Sequence, residues 1–292
     1  MNPITFFVLG AAKSGTTSLH NHLQAHPRIS MARVKETNYF VDRNRRVSTL
    51  QDLQEQFSDS SEIVHRGDSS HMHLTCAEPV ARVHAECPDA RFLLVLRDPV
   101  ERAHSLYLHN RRMGVEPAHT FERALELESS RAGSKRFARR SPEHPAMFRY
   151  VETGRYDEQL QRYFDLFPRE RFLIHTFEEF REDPERVVLE AHRFLGVEPT
   201  PLMTYPVAMR NNGIPVLAPI ARRISNSYNR GSSFRRTLAT QLVRWRRDVP
   251  EMQPTTRADL REQLEPSVRR LSSMLDRPPM WWTAHPESEN QP

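Results

Sequence analysis

The most informative stretch of this sequence is Gly10-Ala11-Ala12-Lys13-Ser14-Gly15-Thr16-Thr17-Ser18. It follows the apolar, β-type residues 4–9 and precedes residues 19–23, whose spacing predicts a helix. A strand, a loop of small residues and a helix start form the layout of a phosphate-binding loop, in which backbone N–H groups and the helix dipole face an anion. We therefore predict an anion-binding loop; the alternative is an ordinary glycine-bearing turn in a βαβ unit.

The loop departs from the Gly-x4-Gly-Lys-Ser/Thr pattern that binds nucleoside triphosphates. Gly10 and Gly15 have the right spacing, but Thr16 occupies the place of the lysine and Lys13 lies inside the loop. A lysine inside the loop is nearer to a 5′-terminal group on a smaller nucleotide than to β and γ phosphates. The pattern therefore favours a nucleotide other than a triphosphate.

The composition sets broad limits on the class of protein. The chain has 292 residues, enough for one large α/β domain, and 42 Lys+Arg against 37 Asp+Glu give a formal charge of +5. That excess suits an anionic ligand but is too weak to indicate nucleic acid. The two cysteines, Cys76 and Cys87, predict neither a disulfide framework nor a zinc site. Without an export signal or a membrane-spanning stretch, we expect a cytoplasmic protein.

Strand patterns alternate with helix patterns along the first two thirds of the chain. Strands are predicted at residues 4–9, 62–66, 91–96 and 171–175, and helices at 48–57, 77–86, 99–113, 150–167, 184–195 and 256–275. This alternation predicts a P-loop-like, three-layer α/β/α fold with a central parallel sheet and a helical C-terminal part. We expect a single domain over residues 1–292, with its core at about 4–196 and an arginine-rich part at about 197–285.

A second candidate site follows the apolar strand at 91–96. Asp98 is a good N-cap and Pro99 suits the first helical position, so Arg97 is predicted at the carboxyl end of the strand, just before a helix. Ligands of open α/β sheets bind at that edge. Arg97 is therefore a candidate anion ligand, although it could instead pair with neighbouring carboxylates on the surface.

Three segments together resemble the sulfotransferases that use 3′-phosphoadenosine 5′-phosphosulfate (PAPS), especially the bacterial and carbohydrate-acting branch related to the heparan sulfate enzymes. They are the loop at residues 10–18, the segment Lys35-Glu36-Thr37-Asn38-Tyr39-Phe40, and Arg97-Asp98-Pro99-Val100-Glu101-Arg102 followed by Ser105. The resemblance covers about residues 4–196. It implies transfer of a sulfuryl group from PAPS, with 3′-phosphoadenosine 5′-phosphate (PAP) as the product.

The resemblance also assigns the donor site. Charge grows on the 5′-phosphate as its bond to sulfur breaks, and Lys13 is placed to stabilise it. No metal is expected, because this leaving group carries less charge than a triphosphate and a lysine can neutralise it. Arg230, in an arginine-rich segment that could equally be a solvated face, is a further candidate. The full set of cofactor-binding candidates is Ala12, Lys13, Ser14, Gly15, Thr16, Thr17, Ser18, Arg97, Ser105 and Arg230.

On the acceptor side, Glu36 matches the glutamate that deprotonates the acceptor in the related carbohydrate enzymes. The alternative is a glutamate that merely pairs with Lys35 on a solvated loop. Asp68 and His71 are candidate substrate-binding residues. Asp68 falls where relatives have a glutamate before a Ser/Thr-Pro pair; this chain lacks that proline, and His71 becomes a candidate secondary proton acceptor. His20 does not suit the role of base, since it falls on the helix after the loop and is expected to face solvent or pack locally.

The acceptor is expected to carry a hydroxyl group, with an amine as the second choice. A sugar or glycan is favoured, but a lipid or a secondary metabolite fits the sequence too, and nucleic acid does not. Two other functions stay open at this point: a nucleotide-dependent kinase with an unusual phosphate loop, and a non-catalytic module that binds polyanions. The kinase predicts an acidic residue directly at the end of the strand at 91–96, where this chain has Arg97.

Overall fold

The computed structural model describes residues 3–141, 143–202, 214–215, 246–247, 249–279 and 281. The chain divides into two compact units. The first consists of Met1–Asp98, Arg155–Val207 and Glu265–Pro292, and the second of Pro99–Gly154 and Ala208–Leu264. The expectation of a single sulfotransferase domain over residues 1–292 stays a prediction.

The first unit is built on a sheet of five parallel strands in the order β2-β3-β1-β4-β5. The strands are β1 (Phe6–Gly10), β2 (Ile29–Met31), β3 (His65–Ser69), β4 (Arg91–Leu96) and β5 (Phe172–Thr176). Strand β1 lies in the middle, between β3 and β4, so the loop that follows it emerges at the centre of the carboxyl edge. The predicted central parallel sheet is confirmed.

Helices follow most of these strands. The first unit contains α1 (Thr16–Gln24), α2 (Leu50–Gln54), α3 (Met72–Thr75), α4 (Pro79–Glu86), α8 (Tyr156–Phe164), α9 (Phe177–Glu182) and α10 (Pro184–Leu195). The second contains α5 (Pro99–Arg112), α6 (Phe121–Ala132), α7 (Lys135–Arg140) and the two-stranded antiparallel pair β6 (Ile214–Pro215) and β7 (Arg246–Arg247). Helix α11 (Pro254–Leu275) has residues in both units and confirms the predicted C-terminal helix.

Apolar side chains cover both faces of the sheet. Phe7 and Leu9 of β1 join one core cluster, whereas Phe6 and Val8 join another, as the period of two along a strand requires. All four side chains are at most 1% exposed. A sheet buried on both faces needs helices on both sides, which confirms the three-layer arrangement.

The second unit has its own core, formed by α5, α6 and the first part of α11. Within it the buried carboxylate of Glu116 accepts two hydrogen bonds from Arg131, at 2.7 and 2.8 Å, and one from the Tyr150 hydroxyl at 2.7 Å. A buried charge requires such partners, because desolvation would otherwise be unfavourable. None of the helices in the described part of the chain is both long and apolar enough to cross a membrane.

The structure differs from the sequence prediction at β3. The predicted strand at residues 62–66 ends at Gly67, whereas β3 runs from His65 to Ser69 with Gly67 inside it. A β-carbon on Gly67 would lie 2.2 Å from Cζ of Phe6 and 2.7 Å from Sδ of Met31. Gly67 is therefore present because neighbouring side chains fill the space beside it, a tertiary reason that local sequence does not reveal.

Candidate active site

The loop after β1 is held at the edge of the sheet by a hydrogen bond of 2.7 Å from the Ala11 N–H to the Val95 carbonyl of β4. Gly15 is the N-cap of α1 and has a φ of 87°, and a β-carbon there would lie 3.2 Å from the Phe180 ring. Glycine suits both constraints. Gly15 supplies no capping side chain, and an uncapped first turn of a helix is a place where backbone N–H groups can bind an anion.

Ser14 carries a signal of ligand binding. Its side chain is fully buried, and within the described part of the chain its Oγ atom has no hydrogen-bond partner. A buried hydroxyl without a partner is unfavourable unless a ligand supplies one. Beside it in the loop, Lys13 has a φ of 67°. Of the other predicted loop residues, Thr16 is buried, Thr17 exposed, and Ala12 and Ser18 half-buried.

Arg97 follows β4 and reaches back to the loop. Its Nη1 atom donates a hydrogen bond of 3.2 Å to the Lys13 carbonyl, and its guanidinium lies over the Phe177 ring, 4.8 Å from the ring centre. The Tyr156 hydroxyl donates to the Arg97 carbonyl at 3.0 Å. Burial lowers the pKa of Arg97, and the nearby Glu178 carboxylate opposes that shift. The structure therefore brings Arg97 and the loop together.

The structure says less about two other predicted donor-site residues, Ser105 and Arg230. Ser105 lies half-buried on α5, in the second unit. Arg230 falls outside the described residues. Their roles stay predictions.

Glu36 lies at the centre of a charged cluster. His71 contacts its Oε2 atom twice, through the backbone N–H at 3.0 Å and through Nδ1 at 2.8 Å, and Lys35 Nζ donates to Oε1. Burial alone would raise the pKa of Glu36, but the charge and hydrogen bond of His71, followed by those of Lys35, lower it well below its usual range. The carboxylate is thus ionised and retains some exposure, 17% of its side-chain surface.

Asp68, at the end of β3, is completely buried. Its carboxylate accepts hydrogen bonds from the Thr37 hydroxyl at 2.8 Å and from the Ser70 hydroxyl at 3.1 Å. Burial raises its pKa to about 7, against the effect of these two hydrogen bonds. In this conformation Asp68 offers no surface to an acceptor, whereas His71, 16% exposed at its side chain, does.

The sequence interpretation gave little weight to His20. Its side chain is only 8% exposed, and Nδ1 has no partner among the residues described. Burial, and then the charge of Lys35, lower its pKa to about 4, so His20 is neutral at pH 7. His20 lies one helical turn after Thr16 on α1. This spacing from the loop is the sequence signal that could have identified His20 as a residue close to the candidate site.

A glycine-bearing loop after the central strand of a parallel sheet, with an arginine held against it, is the arrangement of the phosphate-loop class of α/β proteins. The sequence model of the sulfotransferase domain matches residues 3–237, and the chain belongs to the sulfotransferase family. It is therefore an enzyme that transfers a sulfuryl group, and the family generally takes that group from PAPS. The two alternatives, a kinase and a non-catalytic polyanion-binding module, do not fit this membership.

Curated relatives include carbohydrate sulfotransferases. Human bifunctional heparan sulfate N-deacetylase/N-sulfotransferase 2 is 27% identical over 229 residues, covering 70% of this chain and 23% of the relative. Human heparan sulfate glucosamine 3-O-sulfotransferase 6 is 28% identical over 193 residues, covering 65% of this chain and 52% of the relative. The chain thus spans about a quarter of the first relative and half of the second.

Among solved structures, a sulfotransferase from Alicyclobacillus acidocaldarius superimposes with a TM-score of 0.72 at 26% sequence identity. The match covers 97% of this chain and 100% of the other. It supports the sulfotransferase fold.

Proposed function

We propose that this enzyme moves a sulfuryl group from PAPS to a hydroxyl of a carbohydrate or small-metabolite acceptor, by one in-line displacement. The observation that carries the proposal is the hydrogen bond from Arg97 to the Lys13 carbonyl, which joins two cationic residues at the carboxyl edge of the sheet. Two linked cationic positions suit a nucleotide with two separated anionic groups, as the 5′-phosphosulfate and 3′-phosphate of PAPS are.

On the donor side, the first-turn N–H groups of α1 and the partnerless Ser14 hydroxyl would bind the 5′-phosphate. Lys13 would stabilise the charge that develops on that phosphate as its bond to sulfur breaks. Arg97 would bind the 3′-phosphate through its planar guanidinium, with Ser105 and Arg230 as further candidates. With lysine and arginine supplying the positive charge, we propose that the transfer needs no metal.

On the acceptor side, Glu36 would accept the proton of the acceptor hydroxyl as the bond from its oxygen to sulfur forms. The electron pair of the broken sulfur–oxygen bond stays on the 5′-phosphate, beside Lys13. His71 and Lys35 keep Glu36 in the ionised form that a general base requires. His71, which contacts the same carboxylate, is the candidate for passing that proton onward.

The choice of acceptor rests on the relatives. One named relative is an N-sulfotransferase and another a 3-O-sulfotransferase, and both names specify heparan sulfate. We therefore propose a carbohydrate hydroxyl first and an amine second. The cytoplasmic location also stays a prediction.

Donor binding can be tested by isothermal calorimetry with PAP and with adenosine 5′-phosphate, without magnesium. We expect micromolar binding of PAP that needs the 3′-phosphate and is lost in Arg97→Ala. Arg186→Ala is the matched control, since Arg186 is an exposed arginine on α10 that pairs with Glu190. Absence of PAP binding, or binding of a magnesium triphosphate only, would overturn the proposal.

Acceptor chemistry can be tested with radiolabelled PAPS and two acceptors, N-acetylheparosan, which offers hydroxyl groups, and N-deacetylated heparosan, which adds free amines. Transfer of label to both polymers by the wild-type enzyme, and loss of this transfer in Glu36→Gln, would support transfer to a hydroxyl group. Label on the deacetylated polymer only indicates amine transfer, and labelling that survives Glu36→Gln excludes Glu36 as the base.

A further inference from the structure

We propose that Asp68 is a positioning residue that holds the pair Glu36 and His71 in register through two buried hydroxyl groups. The inference rests on the proposed function, in which Glu36 is the base. It assigns Asp68 a role that involves no contact with donor or acceptor.

Two segments, residues 36–38 and residues 68–71, are joined at two places. Glu36 bonds to His71, and the next residue on one segment, Thr37, and the preceding residue on the other, Ser70, both donate their hydroxyl hydrogens to Asp68. The two hydroxyl oxygens also lie 3.4 Å apart. Asp68 therefore binds the direct chain neighbours of both members of the pair. Any displacement of one segment along the other must break these bonds.

The backbone of the first segment needs such support. Glu36 has a φ of 63° and Asn38 a φ of 51°, so left-handed residues stand on both sides of Thr37. This region is unfavourable for residues other than glycine and persists where surrounding contacts enforce it. Besides the Thr37–Asp68 bond, the Glu36 N–H donates to the Ser69 carbonyl at 3.0 Å, and the Asn38 N–H donates to Ser70 Oγ at 3.3 Å.

Among the described residues, no charged side chain competes with the two hydroxyl groups for Asp68. His73 lies nearest, with Nδ1 3.7 Å from the carboxylate, beyond hydrogen-bond distance. Its complete burial lowers its pKa to about 3, so it is neutral. Apart from a hydrogen bond with the Ser69 backbone, the hydrogen bonds given for Asp68 join it to Thr37 and Ser70, as positioning of the pair requires.

The test uses Asp68→Asn, which keeps the shape of the side chain but replaces one accepting oxygen with an NH2 group. Three measurements are made on the full chain: PAP affinity by calorimetry, the 15N chemical shifts of the His71 ring, and turnover with heparosan at saturating PAPS. Asp157→Asn is the matched control, because Asp157 is a buried carboxylate of the same unit, 3% exposed, that bonds to Ser267 and Arg270.

We expect Asp68→Asn to change the His71 ring shifts toward those of Glu36→Gln and to lower kcat on the order of 10- to 100-fold, since misplacement of about 1 Å has that effect. PAP affinity should stay within about twofold of wild type, because in the described structure the hydrogen bonds of Asp68 go to Thr37, Ser70 and the Ser69 backbone and to none of the proposed donor-site residues. Asp157→Asn should leave the ring shifts unchanged.

A conservative rescue separates positioning from simple stability. Asp68→Glu restores an ionisable acceptor, and we expect it to recover part of the His71 signature. Unchanged His71 shifts in Asp68→Asn would overturn the inference, as would equal changes in Asp157→Asn. Failure of wild type to bind PAP would instead overturn the proposed function, while the ring shifts would still decide whether Asp68 positions the pair.

Discussion

The Nη1 atom of Arg97 lies 3.2 Å from the backbone carbonyl oxygen of Lys13, so the end of β4 is bonded directly to the loop after β1. A residue proposed to bind one phosphate thereby also holds the loop that binds the other. Substitutions of Arg97 should therefore affect both ends of the nucleotide.

Arg97→Ala should weaken PAP at least tenfold and also weaken adenosine 5′-phosphosulfate, which has no 3′-phosphate, by about two- to fivefold. The weaker binding of adenosine 5′-phosphosulfate reflects the missing hydrogen bond from Arg97 to the Lys13 carbonyl of the loop. Arg97→Lys keeps the charge but loses the planar donor pair, and should fall between wild type and alanine for PAP. Calorimetry with the two ligands gives both values. Unchanged affinity for adenosine 5′-phosphosulfate in Arg97→Ala would refute the coupling.

Ser14→Ala should separate ligand binding from stability. Because the buried Ser14 hydroxyl has no partner in the described structure, its removal should leave the free energy of unfolding unchanged or raise it by about 1 kcal/mol. PAP affinity should fall about five- to tenfold, the loss of one hydrogen bond. The control is Ser267→Ala, since Ser267 is a buried serine that donates to Asp157 and should destabilise the protein. A destabilised Ser14→Ala would show that the hydroxyl is already bonded.

Glu36→Gln should lower the transfer rate by about 100- to 10,000-fold, the usual contribution of a general base. The amide has nearly the same shape, so PAP affinity should remain close to wild type. Rapid-quench measurement of a single turnover, with radiolabelled PAPS and heparosan, reports the chemical step itself. An equal loss in PAP affinity would place Glu36 in the donor site instead.

Asp68→Asn should remove a pH-dependent component of stability. The folded-state pKa of about 7 lies above the ordinary value of 3.8, so the folded protein binds this proton more tightly than the unfolded chain. The stabilisation that comes from protonated Asp68 is fully present below pH 3.8 and decreases as the pH rises toward 7. Above the folded-state pKa it no longer changes with pH. The difference in unfolding free energy between wild type and variant should therefore change by at most about 1.4 kcal/mol per pH unit in that interval. Urea unfolding at several pH values measures it, and a constant difference would contradict the buried, proton-binding carboxyl group.

Gly67→Ala should destabilise the fold by about 1–3 kcal/mol or more, because the new methyl group would overlap the Phe6 ring. Gly133→Ala is its control: Gly133 follows α6 with a φ of −89°, and a β-carbon there would meet no atom within 4 Å. Thermal unfolding of both variants tests this difference. Equal melting temperatures would show that the sheet accommodates the methyl group.

Local sequence signals predicted the elements that place the donor site. The strand predicted at residues 91–96 is confirmed as β4, and the helix predicted at residues 184–195 is confirmed as α10 (Pro184–Leu195). These features depend on neighbours within one turn or one strand, so the sequence contains all the information they require.

The acceptor side was harder to predict because its geometry depends on contacts between distant segments. Asp68 is buried where it accepts hydrogen bonds from Thr37 and Ser70. The residue spacing around Asp68 or around Thr37 does not reveal this contact. The left-handed conformation of Glu36 has no local signal such as a glycine. His20 likewise becomes buried through packing, whereas its position in the sequence suggests an ordinary surface residue.

The central position of β1 also constrains the order in which the protein can assemble. Phe6 pairs with Gly67 on one side and with Arg91 on the other, so a nascent chain that ends before β4 lacks one wall of the nucleotide loop. Pairings this distant in sequence form slowly. A nucleotide that binds only the finished sheet would favour it by mass action, by about 2.7 kcal/mol at a concentration 100 times the Kd. The supply of donor in the cell would then influence how much of this enzyme survives proteolysis, as well as how fast it works.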